Sequence, residues 1–269
     1  LAAAPEGSPV LVTCPSVAKG VWMREAAAWR PDLHPSSIEG LGNFRWAGAG
    51  ELLAMNPEIL PPTRAEIIKA RKAGKPLKDA EAAWEFWSSV PENLTLIGDE
   101  AQSFKSNKSK RTERFRAMVK AVLRRGGRAW AGTGTPLLNR PPELWSLLTT
   151  FQIHREAFGD FMRFADLFRA IKNRWGQYDC PDFEDDDEKR RGVDPRIAEC
   201  LRKVMLRRLR KDHLPELPEK VRQHVPVEIA PAVRRLCDAA LASLAARGIS
   251  LADAVAAAEL GKLGGHEFH

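Results

Sequence analysis

The 269-residue sequence lacks the features that mark several classes of protein. Its four cysteines show no C-x-x-C spacing, so we expect free thiols in a reducing compartment rather than a zinc site. No apolar run approaches the roughly 18 residues of a membrane-spanning helix. The first residues, LAAAPEGSP, have no basic stretch ahead of an apolar one, so they do not form a signal peptide. We therefore expect no membrane partner.

Positive charge is what the sequence has in excess. Lysine and arginine total 42 against 35 acidic residues, which gives a net charge of +7 and a pI near 9.4. That balance fits a polyanionic partner without establishing one. At this length the chain can bury a sizeable core in one or two domains. Because it does not begin with methionine, we expect a fragment whose true beginning is missing.

Two apolar runs end in polar clusters. Leu94–Ile97 leads to an acidic pair, and Ala129–Ala131 leads to the tetrapeptide T-G-T-P. Two buried strands joined by a helix are the pattern of a parallel α/β sheet, in which ligands gather at the carboxyl ends of the strands. We therefore expect four side chains to lie near one another at that edge: Asp99, Glu100, Thr133 and Thr135.

The chemistry of the acidic pair suggests nucleotide hydrolysis. Asp99 at a strand end can hold Mg²⁺ through water, because Mg²⁺ takes few carboxylates and completes its shell with substrate phosphates. Glu100 can orient and deprotonate an attacking water. The alternative is that the pair only caps the next helix. Gln102 and the T-G-T-P cluster make that alternative the weaker one.

Three motifs resemble those of a known family. D-E-A-Q at 99–102 looks like motif II of superfamily-two helicase-like ATPases. G-T-G-T-P-L-L-N-R-P-P-E-L-W-S-L-L at 132–148 looks like motif III of the Swi/Snf (Snf-two) DNA translocases, and the segment 204–223 resembles the one that closes their first lobe. The order and spacing of the three motifs match the family, and the annealing-helicase-like or phage-type branch looks most similar.

The resemblance implies an α/β fold, namely an incomplete RecA-like (P-loop NTPase) lobe with a parallel sheet, a helical insertion and a helical C-terminal tail. It implies a partial lobe over 1–153, the insertion over 154–212, and over 213–269 the lobe-closing segment and linker toward a second RecA-like lobe that is missing. The phosphate loop G-x-x-x-x-G-K-[ST] and the arginine-finger motif Q-x-x-G-R-x-x-R do not occur in the sequence. We expect the loop upstream of Leu1 and no hydrolysis by this chain alone.

The resemblance also implies ATP and Mg²⁺ as cofactors. In that family pattern Asp99 is the metal ligand, Glu100 activates water, and Gln102 stands where histidine is commoner and still donates and accepts hydrogen bonds. Three residues of motif III are expected to couple ATP hydrolysis to DNA binding: Thr133, Gly134 and Thr135.

The implied partner is DNA, held through its phosphate backbone without regard to sequence. The turn C-P-S and the helix after it resemble motif Ia, so Ser16 and Lys19 are expected to touch a phosphate. The resemblance adds three more expected contacts: Lys105, Arg207 and Arg208. The competing interpretations are an ordinary capped helix, a solvated basic face, and a helix C-terminus that simply favours cations.

Periodicity predicts the remaining elements. We expect Ser16 to cap a helix over 17–29, with Trp22 and Trp29 in the core. In the basic helix after motif II the predicted buried stripe comprises Phe115, Met118, Val122 and Leu123. Other predicted helices span 63–73, 79–89, 140–151, 156–174, 194–210, 231–247 and 250–260, and predicted strands span 9–13, 51–56 and 221–229.

Two other functions compete with an ATP-dependent DNA translocase. A nonenzymatic nucleic-acid-binding module with a decayed ATPase fold would have no reason to keep both carboxylates. A superfamily-two helicase that separates strands is disfavoured by N-R-P-x-E-L-W after T-G-T-P. The expected location is the cytoplasm, at the nucleoid if the source is prokaryotic or a phage, and the nucleus if it is eukaryotic.

Overall fold

The computed structural model describes residues 4–40, 42–136, 141–173, 176, 178–180, 194–208, 231–248 and 250. The chain divides into two compact units, residues 1–207 and 208–269, which are described separately. Of the expected elements, the strand over 221–229 and residues 251–260 of the last helix lie outside the described residues.

A parallel sheet forms the centre of the first unit. Its strands are β1 (Val10–Thr13), β2 (His34–Ser37), β3 (Glu51–Met55), β4 (Thr95–Gly98) and β5 (Arg128–Ala131). Their order in the described part of the chain is β2-β3-β1-β4-β5, and every pair is parallel. The predicted α/β fold with a parallel sheet is therefore confirmed.

The first unit contains eight helices in its described part. In chain order they are α1 (Ser16–Trp29), α2 (Arg64–Lys72), α3 (Ala80–Ser88), α4 (Lys110–Arg124), α5 (Pro141–Thr150), α6 (His154–Phe158), α7 (Phe161–Leu167) and α8 (Pro195–Arg202), and the second unit has α9 (Pro231–Ala246). Of these, α1 and α4 pack against the sheet. Short 3₁₀ turns follow β3 and β4 at Pro57–Ile59 and Ala101–Phe104. The strand over 51–56 and the helices over 63–73, 79–89, 140–151 and 231–247 are thus confirmed to within a few residues.

Alternating side chains of the sheet build two cores. Leu11 and Leu96 point to the side on which α4 packs its buried Phe115. Val10 and Val12 point to the other side, where Ala26 of α1 covers them. Successive residues of a strand face opposite sides, and a central parallel strand is buried on both, which explains why these strands read as continuous apolar runs.

Strand β5 departs from the prediction of two buried strands. Its residues are mostly exposed, and Trp130 retains 48% of its accessible surface. In the part of the chain that the structure describes, β5 pairs with β4 alone and forms an edge of the sheet. An apolar run at a sheet edge reads the same in sequence as one at the centre, so periodicity could not separate them.

Helix α1 differs from its prediction at both ends. The helix begins at Ser16 itself, Pro15 occupies the N-cap position, and no side chain caps it, so the expected Ser16 cap is wrong. Trp29 is 74% exposed and donates to Glu25 Oε2 at 2.9 Å, so its expected place in the core is also wrong. Trp22 is partly buried and packs at the margin of a core cluster.

The stripe of α4 was predicted correctly for three of its four residues. Phe115, Met118 and Val122 are fully buried, whereas Leu123 is 39% exposed. Leu123 lies one residue beyond Val122, a rotation of about 100° around the helix. The stripe predicted from periodicity was therefore one residue too wide.

The single helix expected over 156–174 is instead two short helices and a hairpin. Gly159, with φ of +83°, ends α6, and the Asp160 side chain caps α7 by accepting from the Arg163 N–H at 2.9 Å. Beyond α7, β6 (Ile171–Lys172) pairs antiparallel with β7 (Tyr178–Asp179). The phenylalanines gave a continuous apolar pattern that concealed a break at glycine followed by a capping aspartate.

The helix expected over 194–210 is shorter. Asp194 caps α8 by accepting from the Arg196 N–H at 2.9 Å, and the helix ends at Arg202. Ile197 is buried against the aromatic cluster of α5, α6 and α7. Among the described residues, no helix has the length and hydropathy to cross a bilayer.

Gly127 offers a test of the packing between α4 and β5. A methyl group at this position would lie 2.4 Å from the Leu94 carbonyl oxygen and 2.6 Å from Val122 Cγ1. We expect Gly127→Ala to lower the free energy of unfolding by about 1–3 kcal/mol, since the added carbon overpacks a fixed backbone. Chemical denaturation measures this.

The matched control is Gly20→Ala, where the nearest atom, on the flexible Arg24 side chain, lies at 3.6 Å in the helix α1. That change should stabilise the protein by roughly 0.5–1 kcal/mol, because alanine favours a helix over glycine. Equal stability of the two variants would contradict the packing described at Gly127.

Candidate functional site

The carboxyl ends of β1, β4 and β5 are joined by backbone hydrogen bonds. The Asp99 N–H donates to the Thr13 carbonyl at 2.9 Å, and the Gly132 N–H donates to the Gly98 carbonyl at 2.9 Å. The Ala101 N–H then donates back to the Gly132 carbonyl, also at 2.9 Å. The residues after β4 and β5 therefore share one small region at the edge where parallel sheets bind ligands.

The carboxylate of Asp99 is fixed by one donor on each oxygen. Trp22 Nε1 of α1 donates to Oδ2 at 2.8 Å, and the Glu100 N–H donates to Oδ1 at 3.0 Å. These two bonds set the plane of the carboxylate. Two hydrogen bonds also leave about half of its roughly four acceptor sites free for other ligands.

Glu100 has a left-handed backbone. Its φ and ψ are +48° and +52°, a conformation that costs a residue other than glycine about 1 kcal/mol or more. Such strain concentrates at functional sites. The turn leaves the Glu100 side chain exposed, where it accepts a hydrogen bond from Gln102 Nε2.

Gln102 connects the two strand ends through side chains. Thr133 Oγ1 donates to Gln102 Oε1 at 2.6 Å, and the Thr135 N–H donates to Thr133 Oγ1 at 3.1 Å. A continuous chain of hydrogen bonds thus runs from Glu100 through Gln102 and Thr133 to Thr135. Gly134 lies beside this chain with open space around its α-carbon.

A divalent cation fits this site only with help from a ligand. Within the described ranges, no group of three or more acidic, histidine or cysteine side chains could hold a metal ion by itself. Asp99 supplies one oriented carboxylate with free lone pairs. Mg²⁺ is commonly bound in this way, by one or two carboxylates, water and substrate phosphates.

Lys19 does not occupy the position expected for a phosphate contact. It is 5% exposed, and its Nζ donates to the Ile38 carbonyl at 2.5 Å and to Glu39 Oε1 at 3.0 Å. A phosphate contact needs an accessible cation, whereas these two partners hold the ammonium group of Lys19 away from solvent. The phosphate contact of Lys19 itself stays a prediction. Lys19 ties α1 to the end of β2.

Ser16 is exposed at the first turn of α1, as a phosphate contact would require. Its Oγ accepts a hydrogen bond from Asn56 Nδ2, and Asn56 follows the end of β3. The uncapped helix start leaves N–H groups of the first turn for an anion. The sequence analysis did not assign Asn56 to the site; it is a polar residue at the end of a buried strand.

Cys14 lies between these two regions and is chemically quiet. Burial, and then the charge of Asp99, raises the pKa of its thiol to about 11, against a smaller opposing effect of Lys19. At neutral pH the group is therefore a protonated thiol. It packs in the core and supplies neither a nucleophile nor a metal ligand.

The other expected basic contacts differ in their surroundings. Lys105 is about one-third exposed and pairs with Glu143 at 3.4 Å, which links the turn after β4 to the start of α5. Arg207 and Arg208 are exposed and stand beyond the end of α8 at Arg202. The dipole of a helix acts only within its last turn, so it does not account for these two arginines.

The link between Gln102 and Thr133 generates a prediction. We expect Gln102→Ala and Thr133→Val, combined in a double-mutant cycle, to show a coupling free energy of about 1 kcal/mol. Urea denaturation of the unchanged protein, the two single variants and the double variant measures it. Additive effects would contradict the hydrogen bond.

Comparison with known proteins identifies the same family that motifs II and III resemble, over most of the chain. The model of the SNF2-related domain matches residues 3–238. The DNA annealing helicase and endonuclease ZRANB3 of Mus musculus is 26% identical over 228 residues, 83% of this chain and 19% of that protein. The transcription regulatory protein SNF2 of Saccharomyces cerevisiae is 30% identical over 227 residues, 82% of this chain and 12% of that protein.

Solved structures include similar chains. The SWI2/SNF2 ATPase core of Sulfolobus solfataricus in complex with dsDNA aligns with a TM-score of 0.45 and 20% identity, covering 89% of this chain and 42% of the other. The chain spans less than one-fifth of the length of the ZRANB3 and SNF2 proteins. On the match to residues 3–238, the chain belongs to the SNF2-related domain family.

Proposed function

We propose that the protein containing this chain is an ATP-dependent translocase of double-stranded DNA. The observation that carries the proposal is the hydrogen-bonded chain from Glu100 through Gln102 to Thr133. It joins the carboxylates after one strand to the T-G-T-P segment after the next. An acid pair with no coupling task would not need a side-chain bridge to a neighbouring strand.

ATP and Mg²⁺ are the proposed cofactors. Bound Mg²⁺ would neutralise charge on the phosphates of the nucleotide. Asp99 would hold it through water with the oxygen lone pairs that its two hydrogen bonds leave free. Glu100, exposed beside it, would orient the attacking water and accept its proton.

Coupling is the proposed task of motif III. When Glu100 changes its hydrogen bonding during hydrolysis, Gln102 is the first group to respond, and Thr133 follows because its hydroxyl donates to Gln102. The Thr135 N–H donates to the Thr133 hydroxyl, and a Cβ atom added at Gly134 between them would meet no atom within 4 Å. The segment can therefore shift as a unit toward the residues that face DNA.

DNA would be held through phosphates. The proposed contacts are Ser16 with the free N–H groups at the start of α1, together with Lys105, Arg207 and Arg208. Lys19 is left out of the proposed set because its ammonium group is buried and bonded. Contacts of this type give binding that is sensitive to salt and largely indifferent to sequence.

The domain assignment remains a proposal. Residues 1–153 would be the partial first lobe, 154–212 its helical insertion, and 213–269 the segment leading to a second RecA-like lobe. Because the sequence contains neither a phosphate loop nor an arginine-finger motif, we propose that the chain alone does not hydrolyse ATP. The protein would act at the nucleoid of a prokaryotic or phage-infected cell, or in the nucleus of a eukaryote.

A strand-separating helicase is the second candidate. Motif II serves both classes, and only the sequence after T-G-T-P favours the translocase. Two DNA substrates distinguish the two activities. A forked duplex labelled with a fluorophore and a quencher reports strand release, which supports the helicase. A triplex reports displacement of its third strand, which supports the translocase if the forked duplex is not separated.

The role of Glu100 is tested by Glu100→Gln in the intact protein. We expect ATP hydrolysis to fall by at least about 100-fold, a typical contribution of a general base, while ATP still binds. DNA-stimulated phosphate release and nucleotide binding are the two measurements. Glu92→Gln is the control, because Glu92 is a largely exposed carboxylate that pairs with Arg125 at 3.0 Å. Unchanged turnover in Glu100→Gln would remove the general-base assignment.

The arginine contacts are tested by salt titration of duplex binding. The slope of log K against log salt is negative, and replacing Arg207 and Arg208 together with alanine should reduce its magnitude by about 1.8, since each lost phosphate contact removes roughly 0.9. The control with the same loss of charge replaces Arg234 and Arg235, an exposed pair on α9. Equal slopes for the two double variants would show that net charge, not position, determines binding.

A further inference from the structure

The indole of Trp22 reaches across from α1 to the acidic pair after β4. Its Nε1 donates to Asp99 Oδ2 at 2.8 Å, over a sequence separation of 77 residues. The side chain is only partly buried, so the N–H was not forced to seek this partner by complete removal from water. The bond therefore calls for an explanation beyond packing.

The consequence of the bond is orientation of the carboxylate. Trp22 holds one oxygen and the Glu100 N–H holds the other, so rotation of the carboxylate about its own axis would break both bonds. Without the indole, only the backbone N–H remains and the group is free to turn. A metal ligand that is oriented in advance binds with a smaller loss of entropy.

The position of Trp22 on α1 adds a mechanical connection. Ser16, at the exposed start of the helix, precedes Trp22 by six residues, or roughly 9 Å along the axis. Between them Lys19 fixes the helix to the end of β2 through Ile38 and Glu39. Ser16 and Trp22 thus belong to one continuous helix, which connects the exposed first turn to the indole at Asp99.

We propose that Trp22 is a positioning residue that orients Asp99 for Mg²⁺ and transmits contact at the start of α1 to that carboxylate. The inference rests on the proposed ATPase function, because it gives Asp99 a metal to hold. It adds a residue outside the acidic and T-G-T-P motifs to the site. It also supplies a route from the DNA-facing turn to the nucleotide that is independent of Gln102 and Thr133.

The first experiment tests the hydrogen bond between Trp22 and Asp99 in the protein without nucleotide or DNA. The protein contains eight tryptophans, and a spectrum of ¹⁵N-labelled indoles resolves their N–H groups. The signal that disappears in Trp22→Phe belongs to Trp22. We expect Asp99→Ala to move that signal upfield and to speed its exchange with water, while the other indole signals stay in place. An unmoved Trp22 signal would overturn the inference.

The second experiment measures Mg²⁺ dependence in the intact protein. Trp22→Phe keeps a ring and removes the donor, and 3-benzothienylalanine at position 22 keeps nearly the whole shape of the indole without its N–H. For both we expect the Mg²⁺ concentration at half-maximal ATPase activity to rise about tenfold, since loss of a partner that orients a metal ligand typically lowers metal affinity by roughly 10- to 100-fold. We expect the stimulation by DNA to fall as well.

Trp29→Phe is the matched control. Trp29 lies on the same helix, is 74% exposed, and donates to Glu25 instead of Asp99. The thermal midpoint of each variant reports any general loss of structure. If Trp22→Phe and the benzothienyl variant show the Mg²⁺ dependence of the control, the role of Trp22 is overturned while the ATPase assignment stands. An unaltered intact protein without Mg²⁺-dependent ATPase activity would overturn both.

Discussion

The hydrogen bond from the Ala101 N–H to the Gly132 carbonyl brings the parts of the site together. It forms because β4 and β5 run parallel with Gly98 opposite Ala131, so the residues after both strands leave the sheet at the same level. The turn that follows places Gln102 within reach of Thr133. A shift of one residue in that register would reverse the faces of every side chain in β5 and separate the two motifs.

Helix α1 contributes a second fixed element. A buried lysine is costly unless its charge is bonded, and Lys19 meets this requirement with a carbonyl and a carboxylate. These two bonds of Lys19 hold α1 in one orientation relative to the end of β2. The same helix then presents Ser16 to solvent at its start and Trp22 to Asp99 one turn beyond Lys19.

Much of this architecture follows from sequence, for identifiable physical reasons. The apolar strands, the parallel class of the sheet and the meeting of the acidic pair with T-G-T-P all follow from period and chain order. The errors arose where a short-range pattern is degenerate. The run at β5 could not reveal an edge, the phenylalanines around Gly159 concealed two helix ends, and Pro15 took the cap position expected for Ser16.

The site residues divide in the same way. Asp99, Glu100, Gln102 and Thr133 belong to local motifs, so their types and spacing were enough to single them out. Trp22 lies in the helix that resembles motif Ia, but its bond to Asp99 joins distant elements, as does the bond of Asn56 to Ser16. No local pattern encodes these two contacts. Lys19 was expected to be accessible because a lysine near a helix start reads as exposed, and only the approach of Ile38 and Glu39 reveals that it is buried.

The exposed edge at β5 has a practical consequence for anyone who prepares this chain. In the described part of the sheet, one side of β5 presents its backbone N–H and C=O groups without a strand to receive them. Such an edge is a template for pairing with other chains, and the exposed Trp130 adds an apolar surface next to it. To limit aggregation, the isolated chain would therefore be purified at low concentration or co-expressed with a peptide that pairs with β5.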